Sequence, residues 1–191
     1  MWCLVGLGNP GPSYRRSRHN VGFEFIDHFG KVSGIQVSRH AALVEWGEGI
    51  WCDQHVTLSR PLTYMNRCGV GVQSLLSRQR AVPADLIVVH DDLDLALGRL
   101  KFKQRGGDGG HKGIRSIIET LGDDRFLRLR IGIGHPPLGM ETSDYVLASF
   151  GKEEAEEIEQ AIRLAVDAVE TVLRDGLEQA MQRYHSTSEN G

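Results

Sequence analysis

Between Asn9 and His19 the chain sets an amide, three guanidinium groups (Arg15, Arg16, Arg18) and an imidazole, directly after an apolar run over 2–7. A buried strand end holds such groups rigidly, which suits chemistry that needs fixed geometry. Three further polar segments follow strand ends or open helices. Residues 60–66 carry Met65 and Asn66 beyond a proline stop at Pro61. Residues 90–94 carry His90, Asp91, Asp92 and Asp94. Residues 106–113 form a glycine-rich loop that holds His111 and Lys112 and whose N–H groups could hold a phosphate or an oxyanion. An imidazole, a carboxylate able to fix its tautomer and side-chain amides together suit hydrolysis of an ester. The ring takes a proton from water, and N–H donors steady the developing oxyanion. The chain has no Gly-x-Ser-x-Gly elbow and no cysteine in a nucleophile motif, so water is the expected nucleophile.

Two other chemistries compete for the same residues. Gly6-x-Gly8-x-x-Gly11 satisfies the dinucleotide-binding pattern, which would imply a nicotinamide enzyme. That pattern needs a helix to start inside the glycines, and Pro10 and Pro12 bracket Gly11, so no helix starts before about Asn20. Asp27, at the position of the expected acidic residue, falls inside a helical pattern instead. His90, Asp91 and Asp94 could be weighed as a metal site, but one histidine beside adjacent carboxylates lacks a recognised ligand spacing. Neither a metal nor a cofactor is expected.

The elements that must position these groups follow from hydrophobic periodicity. Strands are expected over 2–7, 42–46, 56–58, 86–89, 100–102 and 127–133. Helices are expected over 20–33, 63–78, 112–121 and 152–174, with a shorter one over 177–184 and a frayed polar tail over 185–191. Strands alternate with helices, but 42–58 reads as adjacent strands around Gly47-Glu48-Gly49. The expectation is an α/β fold: one domain over 1–191, with a mixed, mostly parallel twisted sheet and helices on both faces.

Composition excludes little but directs attention. At 191 residues, 40% hydrophobic and 25% charged, the chain suits a soluble globular domain. It shows no apolar run of membrane-spanning length and no signal-peptide pattern. Three widely spaced cysteines in no metal spacing suggest reduced thiols in a cytoplasm. Net charge is only −3, yet residues 99–130 hold nine basic groups against four acids, while 151–191 hold four against ten. A basic middle beside an acidic end makes a polar molecule, and the middle segment points to a phosphate-bearing partner.

Read together, several motifs resemble the bacterial peptidyl-tRNA hydrolase family. They are Val5-Gly6-Leu7-Gly8-Asn9-Pro10-Gly11, Tyr14, Arg18-His19-Asn20-Val21-Gly22, Pro61-Leu62-Thr63-Tyr64-Met65-Asn66, His90-Asp91-Asp92-Leu93-Asp94, Gly109-Gly110-His111 and the segment from Arg128 to Pro136. They run in family order over nearly the whole chain. The resemblance implies cleavage of the ester between peptide and tRNA, with His19 as base and Asp91 as its orienting partner. It implies that Asn9 and Asn66 place the ester and the tRNA 3′ end, that Met65 lines the peptide channel, and that Tyr14 sits near His19. It puts His111 in contact with the peptide, and Lys103 and Arg130 on the 5′-phosphate of the acceptor stem. One position departs: the family commonly has asparagine where this chain has Lys112. A lysine donates but cannot accept a hydrogen bond. Its charge would either favour the neutral imidazole of His19 or hold a tRNA phosphate. A monomer is the default expectation, and a non-catalytic RNA-binding protein on the same scaffold is the alternative reading.

Overall fold

Leu4 of the first strand packs into one helical layer, while Cys3 and Val5 pack into the other. Both faces of this strand, β1 (Trp2–Gly6), are therefore covered, which is why it reads as an unbroken apolar run. The computed structural model describes residues 1–185 and places β1 inside a seven-stranded sheet. Its other strands are β2 (Arg39–Ala41), β3 (Val44–Trp51), β4 (Gln54–Pro61), β5 (Leu86–Asp92), β6 (Leu100–Lys103) and β7 (Leu127–Gly132), in the spatial order β2-β3-β4-β1-β5-β7-β6. The four inner strands β4, β1, β5 and β7 are parallel. The β2–β3–β4 meander and β6 add antiparallel edges, so the sheet is mixed as expected.

Helices α1 (Val21–Ser33), α5 (Lys152–Asp175) and α6 (Leu177–His185) cover one face, and α2 (Cys68–Gln79) and α3 (Lys112–Leu121) cover the other. A short helix α4 (Thr142–Leu147) precedes α5. The chain leaves β1 for a helix on one face and leaves β4 for a helix on the opposite face. This opens a crevice at the carboxyl ends of the parallel strands. The crossing of α1 over β1 is unusually close. A Cβ on Gly6 would overlap the Gly22 carbonyl, and a Cβ on Gly22 would overlap Leu7 N and the Val89 carbonyl. Gly6 of the apparent nucleotide fingerprint thus serves helix–strand packing together with Gly22, and α1 begins at Val21, well past the loop.

Several boundaries differ from the expectation. The β3–β4 hairpin turns at Cys52 and Asp53, both left-handed (φ 51° and 58°), and β3 runs straight through Gly47-Glu48-Gly49. Two consecutive left-handed residues are the signature of a type I′ turn, usually written with Asn and Gly. The glycines drew the expected turn to the wrong place. Gly47 is needed because a Cβ there would overlap the Gln36 carbonyl. The expected helix over 63–78 starts only at Cys68, after a 3₁₀ turn at Met65–Arg67. The strand expected to stop at residue 89 continues to Asp92, so His90, Asp91 and Asp92 are ladder residues rather than a loop. The short elements β2 and α4 carry no strong periodicity and were not anticipated. His185, placed by sequence at the start of the tail, ends α6 and accepts a 2.7 Å hydrogen bond at Nε2 from Phe102 N. The rest of that tail, residues 186–191, lies outside the described residues.

Candidate active site

His19 and Asp91 meet although 72 residues separate them. His19 sits in a 3₁₀ turn, Arg18–Asn20, between the β1 loop and α1. Asp91 lies near the end of β5, in ladder register with Ile131 of β7. Nδ1 of His19 lies 2.9 Å from both carboxylate oxygens, within the 2.6–3.2 Å expected of a coupled pair. Both residues are buried, His19 at 8% and Asp91 at 2% exposure. Burial alone would push the Asp91 carboxyl upward. His19 and His111, both set against the carboxylate as N–H donors, overcome it and hold the group well below the usual carboxylate range. An ionised Asp91 makes His19 Nδ1 the protonated nitrogen, which leaves the Nε2 lone pair as a base.

His111 is the second donor on the same carboxylate. Its Nε2 lies 3.0 Å from Asp91 Oδ1, and its Nδ1 accepts from Gly113 N at 3.1 Å and Ile114 N at 3.2 Å. The imidazole thus serves as N-cap of α3, and two backbone donors on Nδ1 force the proton onto Nε2. That tautomer bears on metal binding. His19, Asp91 and His111 each offer an atom within 4.8 Å of the others, but a protonated Nε2 cannot ligate. His90 packs edge-on against His111 at 4.6 Å and donates Nδ1–H to the Asp91 carbonyl at 2.7 Å. Burial and the neighbouring His111 push His90 down, so it stays neutral.

Asn9 is fixed by a reciprocal clasp with Asn20. Asn9 N donates to Asn20 Oδ1 at 2.8 Å, and Asn20 Nδ2 donates to the Asn9 carbonyl at 2.9 Å. The Asn9 Oδ1 in turn accepts Met65 N at 2.8 Å. Its Nδ2 makes no hydrogen bond within the described residues and is the donor left for a ligand. Met65 is 4% exposed and packs among the residues under α2 and α3, while Asn66, the next residue, is exposed with no side-chain hydrogen bond among the described residues. Tyr14 meets the exposed Tyr64 ring edge-on at 6.3 Å. Lys112 is exposed in the first turn of α3 and makes no hydrogen bond or ion pair among the described residues.

Lys103 and Arg130 share one face of the sheet. The register pairs Lys103 with Arg128 and Lys101 with Arg130, while Leu100, Phe102, Leu127 and Leu129 fill the opposite, apolar face. Arg128 is turned inward, donating to the carbonyls of Gly106, Gly107 and Asp124, so it props the glycine loop. Arg130 Nε donates to Asp92 Oδ2 at 2.6 Å. Of the other arginines in the opening loop, Arg15 and Arg16 are exposed. Arg18 is buried, bonded to the Ala148 and Ser149 carbonyls and to Glu154, with its guanidinium 4.2 Å from the Tyr145 ring centroid. A cleft of about 1070 Å³ borders Asn9 between α1, α5 and the 10–16 loop, but His19 and Asp91 are not among its walls. The paired His19 and Asp91 side chains lie outside this roomier space.

Comparison with known proteins identifies the family. The family model described as peptidyl-tRNA hydrolase matches residues 3–191. The chain belongs to the peptidyl-tRNA hydrolase family. Among curated relatives, a peptidyl-tRNA hydrolase of Geobacter sp. (strain M21) is 42% identical over 183 residues, covering 96% of this chain and 97% of that one. One from Chloroflexus aggregans is 44% identical over 186 residues, covering 97% and 99%. A crystal structure of peptidyl-tRNA hydrolase from Acinetobacter baumannii superposes with a TM-score of 0.91 at 35% identity, covering 97% of this chain and 95% of that one. Within this peptidyl-tRNA hydrolase fold, sequence reasoning left Asn20, His90 and Asp92 without a role. Each touches a singled-out residue through a hydrogen bond, and each carried a signal in the motifs, where Asn20 abuts His19 and His90 and Asp92 flank Asp91.

Proposed function

We infer that this family member hydrolyses the ester between peptide and tRNA in peptidyl-tRNA, with His19 as general base toward water. The single observation that carries the roles is the His19 Nδ1 to Asp91 contact at 2.9 Å, which frees Nε2 for the proton. Asp91 holds the ring and stabilises the imidazolium formed during attack. Asn9 Nδ2, the unengaged donor at the end of its clasp, is suited to the developing oxyanion, and Asn66 is suited to the tRNA 3′ end. Tyr14 and Met65 frame the approach of the peptide. His111 acts chiefly on Asp91, which supports a positioning part in addition to the peptide contact implied by resemblance. Lys103 and Arg130 take the 5′-phosphate of the acceptor stem, and exposed Lys112 takes a backbone phosphate.

The protein works as a monomer in the cytoplasm under this reading. The described residues include no helix long and apolar enough to cross a membrane. The deciding experiment uses purified protein and N-acetylated aminoacyl-tRNA. The unmodified chain releases the acylated amino acid, and His19→Ala lowers kcat by about 10²–10⁴-fold. An unchanged His19→Ala rate overturns the mechanism. Tight tRNA binding without turnover by the unmodified chain would instead support the RNA-binding alternative.

A further inference from the structure

We propose that Asp92 is a specificity-determining positioning residue, which holds Arg130 so that it selects a 5′-terminal phosphate over a 5′-hydroxyl end. The inference rests on the reading that Arg130 meets the 5′-phosphate. Both oxygens of Asp92 are engaged: Oδ1 accepts Asp94 N at 2.8 Å and Oδ2 accepts Arg130 Nε at 2.6 Å. The carboxylate is thus locked at the end of β5, where the Asp92 backbone is also fixed by Ile133 N donating to its carbonyl at 3.0 Å. The Arg130 and Asp92 side chains are 18% and 13% exposed, so the pair is shielded but reachable. Because Asp92 takes only Nε, the two Nη groups carry no hydrogen bond within the described residues. A guanidinium anchored at Nε presents them as a fork matched to two oxygens of one phosphoryl group.

Charge sharpens the choice. Asp92 remains ionised, since the hydrogen bond from Arg130 and the one from Asp94 N outweigh the upward push of burial. A terminal monophosphate carries about −1.5 to −2 near neutral pH and offers three oxygens to the fork. The same strand places Asp91 one residue earlier on the opposite face, against His19. Strand β5 therefore fixes the spacing between the phosphate contact and the reacting ester.

The test compares N-acetylated aminoacyl-tRNA bearing a 5′-monophosphate with the same tRNA bearing a 5′-hydroxyl. The readout is the ratio of their kcat/KM values. For Asp92→Asn the ratio falls by about tenfold or more, equivalent to ~1.4 kcal/mol of discrimination, and KM carries most of the change. In an Arg130→Gln background, Asp92→Asn changes the ratio no further. A ratio unchanged by Asp92→Asn, or an additive effect in the double variant, overturns the assignment to Asp92. A ratio near one in the unmodified protein overturns the phosphate reading itself, so the two failures are told apart.

Discussion

Asp91 divides its carboxylate between two rings, and this decides how each ring behaves. His19 Nδ1 and His111 Nε2 both point protons at it, and the remaining nitrogens differ: His19 Nε2 makes no hydrogen bond among the described residues, while His111 Nδ1 accepts from the α3 backbone. Asp91→Asn replaces an acceptor with a donor and favours the wrong His19 tautomer. We expect single-turnover hydrolysis to slow by about 10²-fold or more, since the ring loses its orienting charge. His111→Asn separates the two functions of that side chain. Asparagine still caps α3, so chemical denaturation should shift by only a few tenths of a kcal/mol from capping. Losing the second donor to Asp91 should lower kcat by roughly tenfold, the scale of one hydrogen bond to a charged group. A kcat equal to that of the unmodified protein would show that His111 serves the helix alone.

The elements around the site are held by contacts that leave little slack. Gly6 and Gly22 bring α1 down onto the end of β1, and the His19 turn is spliced between them. Gly22→Ala forces α1 away from Leu7 and Val89, and overpacking of this kind costs typically 1–3 kcal/mol. A lower denaturation midpoint together with a lower kcat would be the result. Arg18 ties the same turn to the α4–α5 connection through two carbonyls and Glu154. Arg18→Ala leaves these acceptors unmatched and should destabilise the fold by about 2–4 kcal/mol in urea unfolding. At this scale the sequence was a partial guide. The apolar strands and the long helix α5 could be read because burial on one face writes a period. The continuation of β5 through three polar residues could not, because a strand end facing a reaction centre loses its apolar signature. The hairpin turn was missed for a related reason: Cys52 and Asp53 adopt backbone angles that sequence associates with glycine and asparagine.

Across the whole molecule, charge is sorted more sharply than a net −3 suggests. Lys101, Lys103 and Arg130 lie on one sheet face, while the acidic helix α5 lies on the other side of the sheet. Lys103→Glu should therefore weaken tRNA binding and reduce the slope of log affinity against log salt by about one or more contacts. A fluorescence titration at several salt concentrations measures this. Stability carries its own charge signature in Glu24 of α1, which burial and the neighbouring Asp27 push up to about 7. An acid whose folded value exceeds its unfolded one keeps its proton in the native state, so stability falls as pH rises from about 4.5 through 7. Glu24→Gln should gain roughly 1–3 kcal/mol at pH 8 and nothing at pH 4, as read by denaturation at the two pH values.

Residue types and their order along the chain were enough to determine the fold class, the family and the His19–Asp91 partnership. Apolar periodicity and motif order survive in one dimension. Which hydrogen bonds each polar group makes was decided only by tertiary structure. His111 turned out to brace Asp91, Asn20 to clasp Asn9, and Asp92 to aim Arg130. A hydrogen bond depends on angstrom-scale placement of two groups that the chain can hold 11, 20 or 38 residues apart, and no local pattern encodes that distance.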